Sequence, residues 1–96
     1  MPNQDPPDWV QRYRWKVGAR LRDRRRWLNL TQIRLASQAG IDHKTISRIE
    51  NGYRAVNLDE MALLARALDA EPWELLRIDG GWQYPDGMPA GDAPRP

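Results

Sequence analysis

The sequence contains no cysteine and a single histidine, His43, among its 96 residues. Without cysteine there are neither disulfide bonds nor thiolate chemistry, and one imidazole supplies too few ligands for the usual zinc sites. No apolar run approaches the ~20 residues of a membrane-spanning helix, and residues 1–16 lack the apolar core of a secretory signal. We therefore expect a cytoplasmic protein with no metal, no other cofactor and no contact with a membrane.

The chain is also short of the features that most enzymes need. At 11.2 kDa, with 41% apolar residues, it has room for one small domain and one modest core. The sequence has no glycine-rich phosphate loop, no paired-carboxylate motif and no Ser or Cys nucleophile arrangement around its one histidine. We expect a protein that is not an enzyme.

Positive and negative charges are divided along the chain. Residues 1–58 carry twelve Arg or Lys against five acidic residues, a net charge of +7, whereas residues 59–96 carry three against eight, a net charge of −5. This division favours a protein that turns one side toward a polyanion. A solvated helical surface would give the same composition, so the sequence pattern has to distinguish the two.

The positions of residues that begin and end helices predict an all-α fold of five helices without strands. Residues 1–7 and 79–96 are rich in proline or glycine and are predicted to be flexible tails around a domain at residues 8–78. The predicted N-caps of the first four helices are Asp8, Thr31, Asp42 and Asn57, the last in a capping box with Glu60. Gly40 and Gly52 are predicted to end the second and third helices, and Pro72 opens the fifth.

The second and third helices have the residue spacing of two helices that cross closely. Ala36 is the small residue at the crossing, Gly40 permits the turn, and Ile46 and Ile49 define a buried side. The segment TQIRLASQAGIDHKTISRIENG, residues 31–52, resembles the helix-turn-helix of the phage repressor and Cro family, the XRE-type regulators. The resemblance covers about residues 17–76 and implies a lambda-repressor-like DNA-binding fold.

The side of helix 43–51 opposite the isoleucines carries hydrogen-bonding and mostly cationic groups. Such a helix fits the major groove of DNA, where Lys44 and Arg48 can donate to guanine. These two side chains could instead bind phosphates or only solvate the helix, Ser47 could reach a phosphate, and His43 could be an ordinary surface residue. The predicted base-reading residues are His43, Lys44, Ser47 and Arg48.

The resemblance also implies an ion pair and a set of phosphate contacts. Arg25 of the first helix and Glu50 at the end of the recognition helix are expected to pair and to fix the angle of that helix. Asp42 suits a capping role better than a DNA contact, because its charge is unfavourable near phosphates. The predicted phosphate contacts are Arg25, Thr31, Gln32, Asn51 and Arg54.

The expected function is sequence-specific binding of double-stranded DNA by a nucleoid-associated transcriptional regulator, a repressor. The alternative is an antitoxin or adaptor of the same fold that binds a partner protein through aromatic side chains, Trp82 and Tyr84 or Trp9 and Tyr13. We also expect a homodimer, because one small domain covers about one half-site. Its predicted interface is the last helix and its continuation, with Leu75, Leu76, Ile78 and Trp82, or else the N-terminal extension around Trp9 and Tyr13.

Overall fold

A computed structural model of the protein describes residues 6–77, which form five helices and no strand. The helices are α1 (Asp8–Trp27), α2 (Gln32–Ala39), α3 (His43–Glu50), α4 (Leu58–Ala67) and α5 (Pro72–Leu76). The all-α prediction is confirmed. Ile78, Trp82, Tyr84 and the two predicted tails, apart from Pro6 and Pro7, lie outside the described residues. Within residues 6–77, no helix combines the length and the apolar character needed to cross a bilayer.

Local hydrogen bonds explain where α2, α3 and α4 begin. The Thr31 hydroxyl accepts from the backbone N–H of Arg34 at 3.0 Å, and the Asp42 carboxylate accepts from the N–H of Lys44 at 3.0 Å. Asn57 and Glu60 form the predicted capping box, with reciprocal bonds of 2.8 and 3.0 Å. These caps satisfy N–H groups that have no partner within their own helices.

The predicted N-cap of α1 is wrong. Pro7 is the N-cap, with φ −54° and ψ 152°, and its carbonyl accepts from the N–H groups of Val10 and Gln11. Asp8 is therefore the first helical residue and makes no capping bond. Its carboxylate still lies in the first turn, where the positive end of the helix dipole stabilises a negative charge.

α3 ends one residue earlier than predicted. Glu50 is the last helical residue, Asn51 is the C-cap, and Gly52 adopts the left-handed conformation with φ 77°. The N–H of Tyr53 donates to the carbonyl of Arg48 at 2.9 Å, and the N–H of Gly52 donates to Ile49 at 3.0 Å. This pair of bonds is a Schellman motif, which fixes the direction in which the chain leaves the recognition helix.

The core places α3 between two other helices. α1 packs on α3 and α5, α2 packs on α3 and α4, and α4 packs on α5. The largest fully buried side chains of the described chain are Leu21, Leu35, Ile46, Met61, Leu64 and Leu68. Because only one side of α3 contributes to this core, its other side is left to solvent.

Two residues predicted for interfaces belong to the fold itself. Leu75 is 2% exposed, so its predicted part in a dimer surface is wrong. Tyr13 packs against the core, and its hydroxyl donates to the carbonyl of Leu76 at 3.1 Å. Burial raises the pKa of the Tyr13 phenol. This side chain joins α1 to α5, which leaves little of it for a partner protein.

Candidate nucleic-acid interface

The recognition helix α3 has one buried and one exposed side. Ile46 and Ile49 are 1% and 2% exposed and contribute to the core. The predicted base-reading side chains do not belong to this buried side. His43, Lys44 and Arg48 are exposed, and Ser47 is half-buried. The structure thus brings together on one short helix the four side chains that were predicted to meet base edges.

A buried ion pair fixes α3 to α1. The guanidinium of Arg25 contacts the carboxylate of Glu50 twice, from Nε to Oε2 at 2.7 Å and from Nη2 to Oε1 at 2.9 Å. Arg25 is 7% exposed and Glu50 is 3% exposed. The hydrogen bonds and charge of Glu50 raise the pKa of Arg25 against the effect of desolvation. The bidentate geometry restricts the orientation of both groups.

The same carboxylate also binds α2. Gln32 donates from Nε2 to Oε1 of Glu50 at 3.0 Å, and Arg25 donates from Nη1 to the carbonyl of Leu30 at 2.8 Å. Glu50 of α3 is thus bonded to α1 and to the first residue of α2. The network of Arg25, Gln32 and Glu50, of which the ion pair is buried, sets the relative positions of the three helices.

All five side chains predicted to contact phosphates make hydrogen bonds within the protein. Arg25 and Gln32 bind Glu50, and the Thr31 hydroxyl caps α2. Asn51 donates to the carbonyl of Ser47 at 2.9 Å, and Arg54 binds Glu60 through two bonds of 2.8 and 2.9 Å. Each therefore has a structural role in the free protein, and a phosphate contact would have to use the remaining donors.

Several arginines of the basic first half also serve the fold. Arg20 donates from Nε to the carbonyl of Glu74 at 2.7 Å, and Arg24 donates to the carbonyls of Leu68 and Asp69 at 2.9 and 2.7 Å. The Arg24 guanidinium also lies 4.6 Å from the ring centre of Trp27. The exposed cations of residues 6–58 are Arg12, Lys16, Arg26, Arg34, Lys44 and Arg48.

Gly18 is a structural residue of the site that the sequence analysis did not identify. A Cβ atom there would collide with the carbonyl oxygen of Ile49 and lie 2.8 Å from that of Glu50. The backbones of α1 and α3 are therefore in direct contact. Glycine inside a helix destabilises the helix by about 1 kcal/mol relative to alanine. A glycine within the predicted first helix therefore indicated that close packing requires it there.

The Arg54–Glu60 ion pair predicts that the free energy of unfolding falls at acidic pH. Hydrogen bonds from Arg54 and from the Asn57 backbone lower the pKa of Glu60 below its ordinary value of 4.5. Because the folded pKa is the lower one, the stabilisation is complete above the unfolded pKa and is lost as pH falls through the folded pKa. We expect urea unfolding to show a fall in stability below about pH 4.5 that is smaller in Glu60→Gln. An equal fall in both proteins would contradict this assignment.

Comparison with known proteins places this arrangement in a family. The family profile described as helix-turn-helix, HTH_3, matches residues 21–76, which is more than half of the chain. The chain belongs to the helix-turn-helix family. The match covers the buried network, α3 and the last two helices, and it leaves the first part of α1 outside.

Relatives within the helix-turn-helix family include two regulators from Sinorhizobium fredii. The HTH-type transcriptional regulators y4wC and y4aM are each 32% identical to this chain over 56 residues. The matched segment is 58% of this chain and 39% of each relative. The chain thus spans about two-fifths of the length of these relatives.

Solved structures of two other proteins have the same fold. The restriction-modification controller protein C.AhdI from Aeromonas hydrophila is 42% identical, with a TM-score of 0.64, over 65% of this chain and 94% of that protein. The DNA-binding domain of the P22 c2 repressor is 32% identical, with a TM-score of 0.61, over 62% and 79% of the two chains. The predicted repressor-like fold and the XRE-type resemblance are confirmed.

Proposed function

We propose that the protein represses transcription by binding a specific sequence of double-stranded DNA in the cytoplasm, in association with the nucleoid. One observation carries the proposal. The network of Arg25, Gln32 and Glu50 holds α3 against α1 and α2, while His43, Lys44 and Arg48 are exposed on it. A helix held in this way can enter the major groove as a unit, which is what discrimination between bases requires.

Different side chains of α3 would have different tasks. Arg48 can bind O6 and N7 of a guanine with two donors, whereas Lys44 presents a single charged centre. His43 is the first residue of α3, the end of a recognition helix that lies nearest to the bases. Ser47 is half-buried and short, so it would contact DNA only where the helix approaches most closely.

Phosphate contacts would position α3 without selecting the sequence. The start of α2, with Thr31 and Gln32, offers backbone N–H groups and a favourable helix dipole to an anion. Arg54 and Asn51 follow the recognition helix, and Arg25 of α1 is bonded to Glu50 at its end. These contacts would add affinity for any DNA.

A homodimer is part of the same proposal. Two recognition helices about 34 Å apart would contact successive turns of the major groove and give the affinity that a single half-site lacks. With Leu75 buried, the large apolar side chains of α4 and α5 that are exposed are Leu58, Leu63 and Trp73. We expect the wild-type protein to protect an inverted repeat in a DNA footprint.

The exposed tryptophans favour a second candidate, an antitoxin or adaptor that binds a partner protein. Trp27 and Trp73 are 70% and 62% exposed. Exposed aromatic groups are common at protein interfaces. Co-purification of one partner in a fixed ratio, with no footprint by the protein alone, would favour this candidate over the repressor.

Substitutions on α3 test the proposed base contacts. On the best binding site, Lys44→Ala and Arg48→Ala should each weaken binding by about 1–3 kcal/mol, because a base-edge contact is lost. Binding to random DNA should weaken much less. Arg66→Ala, which removes an exposed arginine from α4, is the matched control and should bind as the wild type does. Equal losses on specific and random DNA would show that Lys44 and Arg48 bind phosphates only.

A further inference from the structure

The first half of α1 contacts the end of the recognition helix, although it precedes the residues matched by the family. Gln11 donates from Nε2 to the carbonyl oxygen of Gly52 at 2.7 Å. The indole of Trp15 lies against Gly52, where it occupies the space that a Cβ atom would need. With Gly18, which meets Ile49 and Glu50, these residues lie on one face of α1 because they are spaced by four and three positions. We call Gln11, Trp15 and Gly18 the α1 brace.

The segment that the brace holds borders an open space beside α1. A cavity of about 210 Å³ lies between the first half of α1, the loop after α3 and α5. Its wall includes Val10, Tyr13, Val17, Ala55, Val56 and Leu76. Val56 packs against the core, and the cavity leaves open space between α1 and the loop on this side. The bond from Gln11 and the contact of Trp15 with Gly52 join the end of α3 to α1 beside this space.

The recognition helix depends on contacts at both of its ends. It has eight residues, and helices of this length are not stable in water by themselves. Asp42 caps its beginning, and its end is formed by the Schellman motif at Gly52. Trp15 is 52% exposed, so its indole keeps a large apolar surface in water while its edge contacts Gly52.

We propose that Gln11 and Trp15 are positioning residues for DNA recognition, which hold the C-terminal end of α3 and the loop after it in the DNA-binding geometry. This inference rests on the proposed function. Base contacts need side chains placed to within about 0.5 Å, whereas phosphate contacts tolerate displacement. Loss of the brace therefore weakens specific binding more than binding to random DNA.

Hydrogen exchange in the free protein tests the brace without DNA. In Trp15→Ala, the amides of Gly52 and Tyr53 should exchange about tenfold faster or more, because their bonds open more often. The amides of α4 should keep their wild-type rates. Trp73→Ala, which removes a tryptophan of similar exposure from α5, is the control and should leave Gly52 and Tyr53 unchanged. Unchanged exchange of these two amides in Trp15→Ala would overturn the inference.

DNA binding by the same variants tests the positioning role. The ratio of affinities for the selected site and for random DNA should fall about tenfold in Trp15→Ala and less in Gln11→Ala, where one hydrogen bond is lost. Trp15→Phe should restore most of the ratio because it keeps an aromatic ring beside Gly52. A wild-type ratio in Trp15→Ala would overturn the inference and leave the proposed function intact. A wild-type protein without sequence preference would contradict the proposed function and the positioning role with it.

Discussion

Glu50→Ala should lower the free energy of unfolding by about 3–5 kcal/mol. The substitution removes both bonds from Arg25 to the carboxylate and leaves a guanidinium that is 7% exposed without its counter-charge. It also removes the acceptor of the hydrogen bond from Gln32. The carboxylate that connects α1, α2 and α3 is therefore lost. Urea unfolding followed by circular dichroism measures the change. Sequence-specific DNA binding should be lost with it, because α3 no longer has a fixed orientation.

Two further variants separate charge from packing. Arg25→Met with Glu50→Leu removes both buried charges and should recover much of the stability, because no charge is left unpaired. Arg54→Ala breaks the other bidentate pair, whose arginine side chain is 38% exposed, and should change stability by less than about 1 kcal/mol. Equal losses in the single and the double variant would show that the pair contributes packing and not charge compensation.

DNA affinity should fall steeply with salt. Each neutralised phosphate contributes about −0.9 to the slope of log affinity against log salt, so ~6–10 contacts in a dimer give a loss of ~10³–10⁵-fold between about 50 and 200 mM. Fluorescence anisotropy of labelled DNA measures this slope. A flat salt response would contradict binding to a polyanion.

The structure indicates which cations produce the slope. Arg34 is exposed on α2, and Arg34→Ala should make the slope of the dimer less steep by about 1.8 if each copy contacts one phosphate, at about 0.9 per phosphate. Arg20 donates to the carbonyl of Glu74 in α5, which packs on α1 and α4, so Arg20→Ala should leave the slope unchanged. A reduced slope in Arg20→Ala would place the DNA on the other side of the domain.

Features set by neighbouring residues could be predicted from the sequence. The caps at Thr31, Asp42 and Asn57 depend on groups two or three positions away, and the exposed side of α3 follows from the spacing of Ile46 and Ile49. The start of α1 was mistaken because Pro7 can be an N-cap without a capping side chain. An acidic residue next to it then resembles a cap.

Contacts between distant residues could not be predicted in this way. The bond from Gln11 to Gly52 joins positions 41 apart, and no local pattern marks either residue as its partner. The binding of Gln32 to Glu50 likewise depends on how α2 and α3 cross. The Arg25–Glu50 pair was expected only because the family resemblance implied it, since a basic residue on a helix face does not identify its own counter-ion.

The recognition role of α3 is tested most directly by selecting bound sequences from a random DNA pool with the wild-type protein and with Lys44→Ala in parallel. We expect the wild type to enrich one short motif as an inverted repeat. We expect Lys44→Ala to lose preference at one position in each half-site and to keep the others, because Arg48 and His43 remain in place. An identical consensus from the two proteins would contradict the assignment of base reading to this side of α3.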